Sequence, residues 1–323
     1  MELSVRREPE LLQTKVQLNM PINAAAVGLS TEPMVHEVDA RWTMAFGASL
    51  GDTQACYFDT SAEDDVVAHP LFPICPEWPA VLEARDLLLN DGLSRAEANR
   101  GVHANHDMIV HRLVKPGDRL YTQATFLSLE ARGAGAFMMM RLDTNDELGE
   151  PVATTYQGSL YRDVSVEGTP PNTPTYGPAA PKPIPASART AYEMSLPIAA
   201  NAAHIYTECA RIWNPIHTDQ GVAKAAGLPD IILHGSATLA LAVSQLIARE
   251  VDGDPQLVRR IAGSFRGMVL MPSDLDLRVY PARVSGETKQ VRFDVQNIDG
   301  RLAIADGLVE FGPRSSARYY GAP

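Results

Sequence analysis

Four short segments of this 323-residue chain recur in the same order on either side of a Pro-rich stretch, so the chain must fold as two copies of one unit. LGDTQACYFD, residues 50–59, lies over ARIWNPIHTD, residues 210–219, and shares its final aspartate, Asp59 with Asp219. Some way further on, HPLFPICP in the first half stands against LPDIILHG in the second. KPGDRLYTQATF, residues 115–126, matches MPSDLDLRVYPA, residues 271–282, with Pro116 over Pro272 and Asp118 over Asp274. LDTNDELGEPVA matches FDVQNIDGRLAI, with Asp143 over Asp294 and Gly149 over Gly300. Identities are few; their order and spacing mark the duplication. The seam, VSVEGTPPNTPTYGPAAPKPIPASA, is too rich in Pro, Ser, Thr and small residues for a packed element to run through it. The reading is therefore a first repeat over 1–163, a linker over 164–188 and a second repeat over 189–323.

Periodicity says what each unit is made of. Thr218 or Asp219 is a natural N-cap, VAKAA is helical in composition, and Gly227 with Pro229 is a stop, which predicts a short helix over about 219–226. GSATLALAVSQLIARE, residues 235–250, is apolar on nearly every side and predicts a helix buried over most of its surface. PEWPAVLEARDLLLN, residues 76–90, is its counterpart in the first half. β-Branched and apolar runs come after each helix, and Asp299-Gly300 between two of them is a hairpin signal. Each unit thus reads as an antiparallel sheet wrapped on one buried helix, an α+β layering.

Composition narrows the chemistry. A formal charge of -11 disfavours a nucleic-acid partner. No leader-like apolar stretch and no run long enough to span a bilayer is present, so no membrane partner and a cytoplasmic location are expected. Cys56, Cys75 and Cys209 are odd in number and form no C-x-x-C pair, which suggests neither a disulfide framework nor a thiolate metal site. In HANHDMIVH, residues 103–111, a strand would point His106 and His111 to opposite faces, so no metal is expected there. No cofactor is called for.

Asn214 and His217 are three residues apart, close enough for one irregular turn to aim both side chains at a single point. Taken alone, an Asn-Pro step is a turn and a His before a helix is a cap or packing residue. Taken together, NPIH, Asp219, a short helix, Gly-Leu-Pro and Ile-Ile-Leu-His-Gly resemble the signature of the MaoC-like (R)-specific enoyl-CoA hydratases and dehydratases. The resemblance implies a hot dog fold, here a tandem or double hot dog whose first repeat is degenerate, covering about residues 30–312. It implies a hydro-lyase that adds water to, or removes it from, an acyl thioester carried by coenzyme A or a carrier protein.

Such a reaction needs a base for water, an acid for the α-carbon and donors for the enolate oxygen. The resemblance assigns His217 as acid-base group, Asn214 to orient water or base, and the backbone N–H of Gly235 to the thioester oxygen. Arg211, Ile212, Trp213, Pro215 and His234 are expected on the substrate side, the His234 ring fixing the loop that presents Gly235. Arg211, Arg259, Arg260 and Arg266 are candidates for the nucleotide end of coenzyme A. A mostly apolar acyl tunnel is expected, roomiest on the first-repeat side.

The chain departs from the family pattern at two adjacent positions. Where the family carries a catalytic aspartate this chain has Ile212, preceded by Arg211 instead of glycine. Asp52 holds the matching place in the first half, but there Tyr57 replaces the histidine and Pro76, which has no N–H, replaces the glycine. Asp52 is not expected to join His217. Glu208, one turn before Ile212, is a candidate substitute carboxylate. Thioester hydrolysis and binding without turnover are the alternative readings on the same scaffold. A tandem pair can act as a monomer or a homodimer.

Overall fold

The β-branched runs and the two long helices assemble in a computed structural model that describes residues 20–62, 65–171 and 177–314. The N-terminal stretch searched for a leader and part of the Pro-rich segment lie outside the described residues. The first repeat contains β1 (Ile22–Asn23), β2 (Met34–Glu37), α1 (Ala40–Ser49), α2 (Ala55–Phe58), α3 (Ile74–Asn90), α4 (Arg95–Ala98), β3 (Gly101–Val110), β4 (Arg119–Arg132), β5 (Gly135–Asn145), β6 (Pro151–Arg162) and β7 (Val166–Glu167). The second contains β8 (Tyr192–Ile198), α5 (Ala202–Ala210), α6 (Gln220–Ala225), α7 (Gly235–Glu250), β9 (Val258–Phe265), β10 (Ser273–Val279), β11 (Arg283–Ser285), β12 (Thr288–Gln296) and β13 (Leu302–Phe311).

The duplication is written into the sheet. Its order is β2-β4-β5-β6-β3-β9-β13-β12-β10-β8, so each repeat has the same strand sequence read inward to the centre. Strand formation obeys the period of two. In β10, Leu275, Leu277 and Val279 are fully buried while Asp274 and Asp276 face out. The sheet wraps α7, where Ala237, Ala240 and Ala242 keep the helix thin enough for strands to approach and Leu239, Val243, Leu246 and Ile247 fill the core. This is the tandem hot dog, α+β architecture.

The helix over 76–90 starts earlier than expected, at Ile74. The N–H groups of Ile74 and Cys75 donate to the carbonyls of Leu71 and Phe72, which carries the helix back one half-turn. Pro76 then falls in the first turn, where a missing N–H costs nothing.

The repeats join edge to edge through antiparallel pairing of β3 with β9, from Asn105 opposite Ser264 to Ile109 opposite Arg260. Arg260 clamps this seam by donating to both oxygens of Asp107, at 2.8 and 2.6 Å. Contrary to the expectation of no packed element, the start of the Pro-rich segment forms β7 against β1 of the first repeat. Further on it is tacked to the second repeat, where Arg260 donates to Ala179 O, Arg292 to Lys182 O, and the Ile184 N–H to the Asp306 carboxylate. Among the described residues, no helix is long and apolar enough to cross a membrane.

Candidate active site

The segment after α5 is built to turn sharply and then point inward. Arg211 adopts a left-handed conformation (φ 58°) that ends α5. Ile212 is thereby tucked in, only 5% exposed, and Trp213 is thrown outward, 60% exposed. Asn214 caps the 3-10 turn Pro215–His217, its Oδ1 accepting the Ile216 N–H. Asp219 then caps α6 by accepting from Val222 N–H at 3.0 Å. Two caps in succession leave His217 one way to face.

The His217 Nδ1 lies 2.8 Å from the carbonyl of Ile232. A carbonyl only accepts, so Nδ1 carries the proton and Nε2 is left with a bare lone pair. Burial pulls the pKa of His217 down to about 4, against the weaker upward pull of the Ile232 bond, so the ring is neutral at neutral pH. It stacks on His234 with centroids 3.6 Å apart. His234 is held by Thr207 Oγ1 at 3.3 Å and by the Tyr206 ring, and its pKa is driven well down by burial and then by His217. His234 immediately precedes α7, so the N–H of Gly235 opens the helix without an intrahelical acceptor. A Cβ on Gly235 would meet the Phe265 ring at 2.9 Å, which is why a residue without one stands there.

Ile212, Asn214, His217, His234 and Gly235 line one cavity of about 460 Å³ between the repeats. The opposite wall comes from the first repeat: Trp78 and Val81 of α3, Phe126 of β4, and Met138 and Met140 of β5. The wall is not purely apolar. Glu77, His103, Gln157 and Ser159 also line it, and none of them was expected there. Of these only Glu77 had a sequence signal: it shares a helical face with Ile74, Trp78 and Val81 at spacings of three and four.

Several expected residues stand elsewhere. Trp213 and Pro215 do not line the cavity, because the turn that directs His217 inward directs them out. Arg211 stacks its guanidinium over Trp42 at 4.1 Å instead of facing substrate. Glu208 is exposed on α5 and does not reach the cavity. Arg259 is engaged by the carbonyls of Gln256, Val258 and Pro313, and Arg260 by Asp107. Arg266 does border the cavity, together with Arg85 and Arg162, and among the described residues none of the three makes an ion pair. Asp52 accepts from Ser244 Oγ at 2.7 Å in the middle of α7. His69, whose Nδ1 accepts the Leu71 N–H, donates from Nε2 to the same hydroxyl at 3.2 Å. Ser244 and His69 are buried, Asp52 is half-buried, and none of the three lines the cavity. Among the described residues, no group of three or more His, Cys, Asp or Glu is placed to hold a metal.

The buried titratable groups set a pH optimum for folding. Burial lowers His69 to about 3 and His103 and His217 to about 4, from 6.5. Below 6.5 the unfolded chain binds more protons at these sites, so their contribution is complete above 6.5 and lost as pH falls through the folded values. Glu77 has the opposite sign: burial raises it from 4.5 to about 8, so the folded chain holds the extra proton and stability drains away as pH rises across that range. Urea midpoints are expected to peak near about pH 6.5 and to fall on both sides. A midpoint unchanged down to about pH 4 would contradict the assignment of neutral buried histidines.

Residues 25–155 match the FAS1-like dehydratase domain region, and residues 185–300 match the MaoC like domain. The second repeat thus carries a MaoC-like domain and the first a FAS1-like dehydratase region. The 3-hydroxyacyl-thioester dehydratase Y of Mycobacterium tuberculosis is 25% identical over 309 residues, spanning 90% of this chain and 99% of that protein. The crystal structure of a MaoC-like dehydratase from Phytophthora capsici superposes with a TM-score of 0.73 at 19% identity, covering 90% of this chain and 97% of that one. A Mycobacterium tuberculosis protein described as having a double hotdog fold superposes with a TM-score of 0.57 at 15% identity, over 88% of this chain and 96% of that one.

Proposed function

We infer that the protein is a hydro-lyase that interconverts an enoyl thioester and its 3-hydroxyacyl thioester. The observation that carries the reading is the pairing, in one cavity, of a neutral His217 with a bare Nε2 and an uncommitted N–H at the start of α7. In the hydration direction His217 Nε2 takes a proton from water and the water oxygen bonds to the β-carbon. The π electrons move onto the thioester oxygen, which the Gly235 N–H and the positive end of the α7 dipole stabilise. The free amide N–H groups of Asn214 orient the water. Dehydration is the same path reversed.

Arg85, Arg162 and Arg266 at the cavity border fit the phosphates of coenzyme A or of a carrier-protein arm, and the first-repeat wall fits the acyl chain. The β3–β9 pairing supplies within one chain the sheet contact that a single repeat would need a partner for, so one chain is a complete unit in this proposal, and the cytoplasm is its proposed location.

The test is addition of crotonyl-CoA and longer enoyl-CoAs, with loss of the conjugated absorbance and release of free thiol both measured. Absorbance loss without thiol is the expected result. Release of thiol would convert the reading to a thioesterase, and binding without either signal to a thioester-binding protein.

A further inference from the structure

The motif leaves a chemical gap, because Ile212 stands where the resemblance puts a proton-bearing aspartate and a hydrocarbon cannot supply one. The structure offers one replacement. Of the residues that line the cavity, Glu77 is the sole carboxylic acid among the described residues, and it comes from α3 of the other repeat. Resting on the hydro-lyase reading above, we infer that Glu77 is the acid that protonates the α-carbon, so that the active site is assembled from both repeats.

Glu77 is 1% exposed, its Oε1 accepts the Thr155 hydroxyl at 2.6 Å, and its Oε2 has no partner. A buried carboxyl kept only for packing would be satisfied at both oxygens, since an unmet one costs about 1–3 kcal/mol. Glu77 also sits on the cavity side of its helix. Ile74, Glu77, Trp78 and Val81 share the cavity side of α3, and Ile74 packs in the same core cluster as Ile212 and Leu233 of the catalytic turn. Thr155, fixed on β6, holds Oε1, and the buried Oε2 is the oxygen left free to carry the proton.

Burial raises the Glu77 pKa to about 8; the Thr155 bond opposes this and the charge of Asp143 adds to it. Cys75, on the same helix, is itself pushed well up by burial, and among the described residues Glu77 is in no ion pair. The carboxyl is therefore protonated at the pH where His217 is not. Two titratable groups whose surroundings push them in opposite senses are an acid and a base.

The protons balance. In hydration His217 Nε2 gains the proton of the attacking water, the enolate electron pair forms a C–H bond at the α-carbon with the proton from Glu77 Oε2, and Glu77 is left as carboxylate. The imidazolium proton returns through solvent to Glu77 and restores both groups.

Glu77→Gln keeps the shape of the neutral acid and removes only its proton. Expected is a fall in kcat of about 10²- to 10⁴-fold with KM changed by only about threefold, and loss of the alkaline limb near pH 8 from the pH profile. A kcat within about threefold of wild type overturns the inference, and so does a raised KM with kcat kept, which would make Glu77 a chain-binding group. Should the variant not fold, the wild type decides alone. Its kcat/KM must decline through about pH 8 and its infrared spectrum must lose a buried carboxylic-acid band over the same range; a flat profile overturns the inference. Wild type inactive on every enoyl thioester defeats the reaction itself. Activity that dies in His217→Ala but survives in Glu77→Gln defeats this inference alone.

Discussion

Replacing His217 with alanine is expected to lower kcat/KM for enoyl-thioester hydration by about 10³-fold or more, the range of a lost general base together with the water it positions. No neighbour can take over. His234 is the nearest imidazole, but its Nε2 is engaged with Thr207, its unpartnered Nδ1 is buried, and burial with His217 beside it holds its pKa well down. What remains is the Gly235 N–H and the bound geometry, which stabilise the enolate oxygen without activating water. The same change leaves the Ile232 carbonyl without its donor and removes one ring of the His217–His234 stack, so a loss of about 1–3 kcal/mol in stability accompanies it. The comparison must therefore be made where both proteins are folded, with thermal melts alongside the kinetics. Activity within about tenfold of wild type would remove His217 from the mechanism.

The second large effect lies at the seam. Arg260 and Asp107 are 14% and 16% exposed, and burial still holds Asp107 above the usual carboxylate range despite the guanidinium against it. Arg260→Met strands that carboxylate and also frees the carbonyl of Ala179. The expected cost is about 3 kcal/mol, the scale of removing one partner from a buried ion pair. Joining it with Asp107→Leu is expected to recover most of the loss, because a buried pair adds little beyond an apolar match of the same shape. A single variant within about 0.5 kcal/mol of wild type by urea unfolding would mean that β3 and β9 are held by backbone pairing alone.

Unlike the left-handed stop at Arg211, the turn Asn214 to Asp219 was legible in the sequence, because its geometry is decided within a few residues, an Asn-Pro step and then an Asp cap. The same holds for α7, whose apolar faces announce burial, and for the duplication, which strand order repeats. The outward direction of Trp213 and the stacking of Arg211 on Trp42 were not legible, since a motif names positions and not the side of the chain each one takes.

Sequence alone established two copies of a helix-and-sheet unit and one capped turn, because periodicity, capping and spacing act over a few residues at a time; the hot dog and hydratase readings came from the resemblance of the motif. Tertiary structure alone decided that Glu77 and Met140 of the first repeat would line one cavity with His217 and Gly235 of the second, that Asp52 would bond to Ser244, and that Glu208 would point to solvent. Those relations depend on the register of β3 against β9 and on how two helices distant in the chain pack under one sheet. Burial then did the chemistry's last step, lowering one histidine and raising one carboxylic acid within the same cavity.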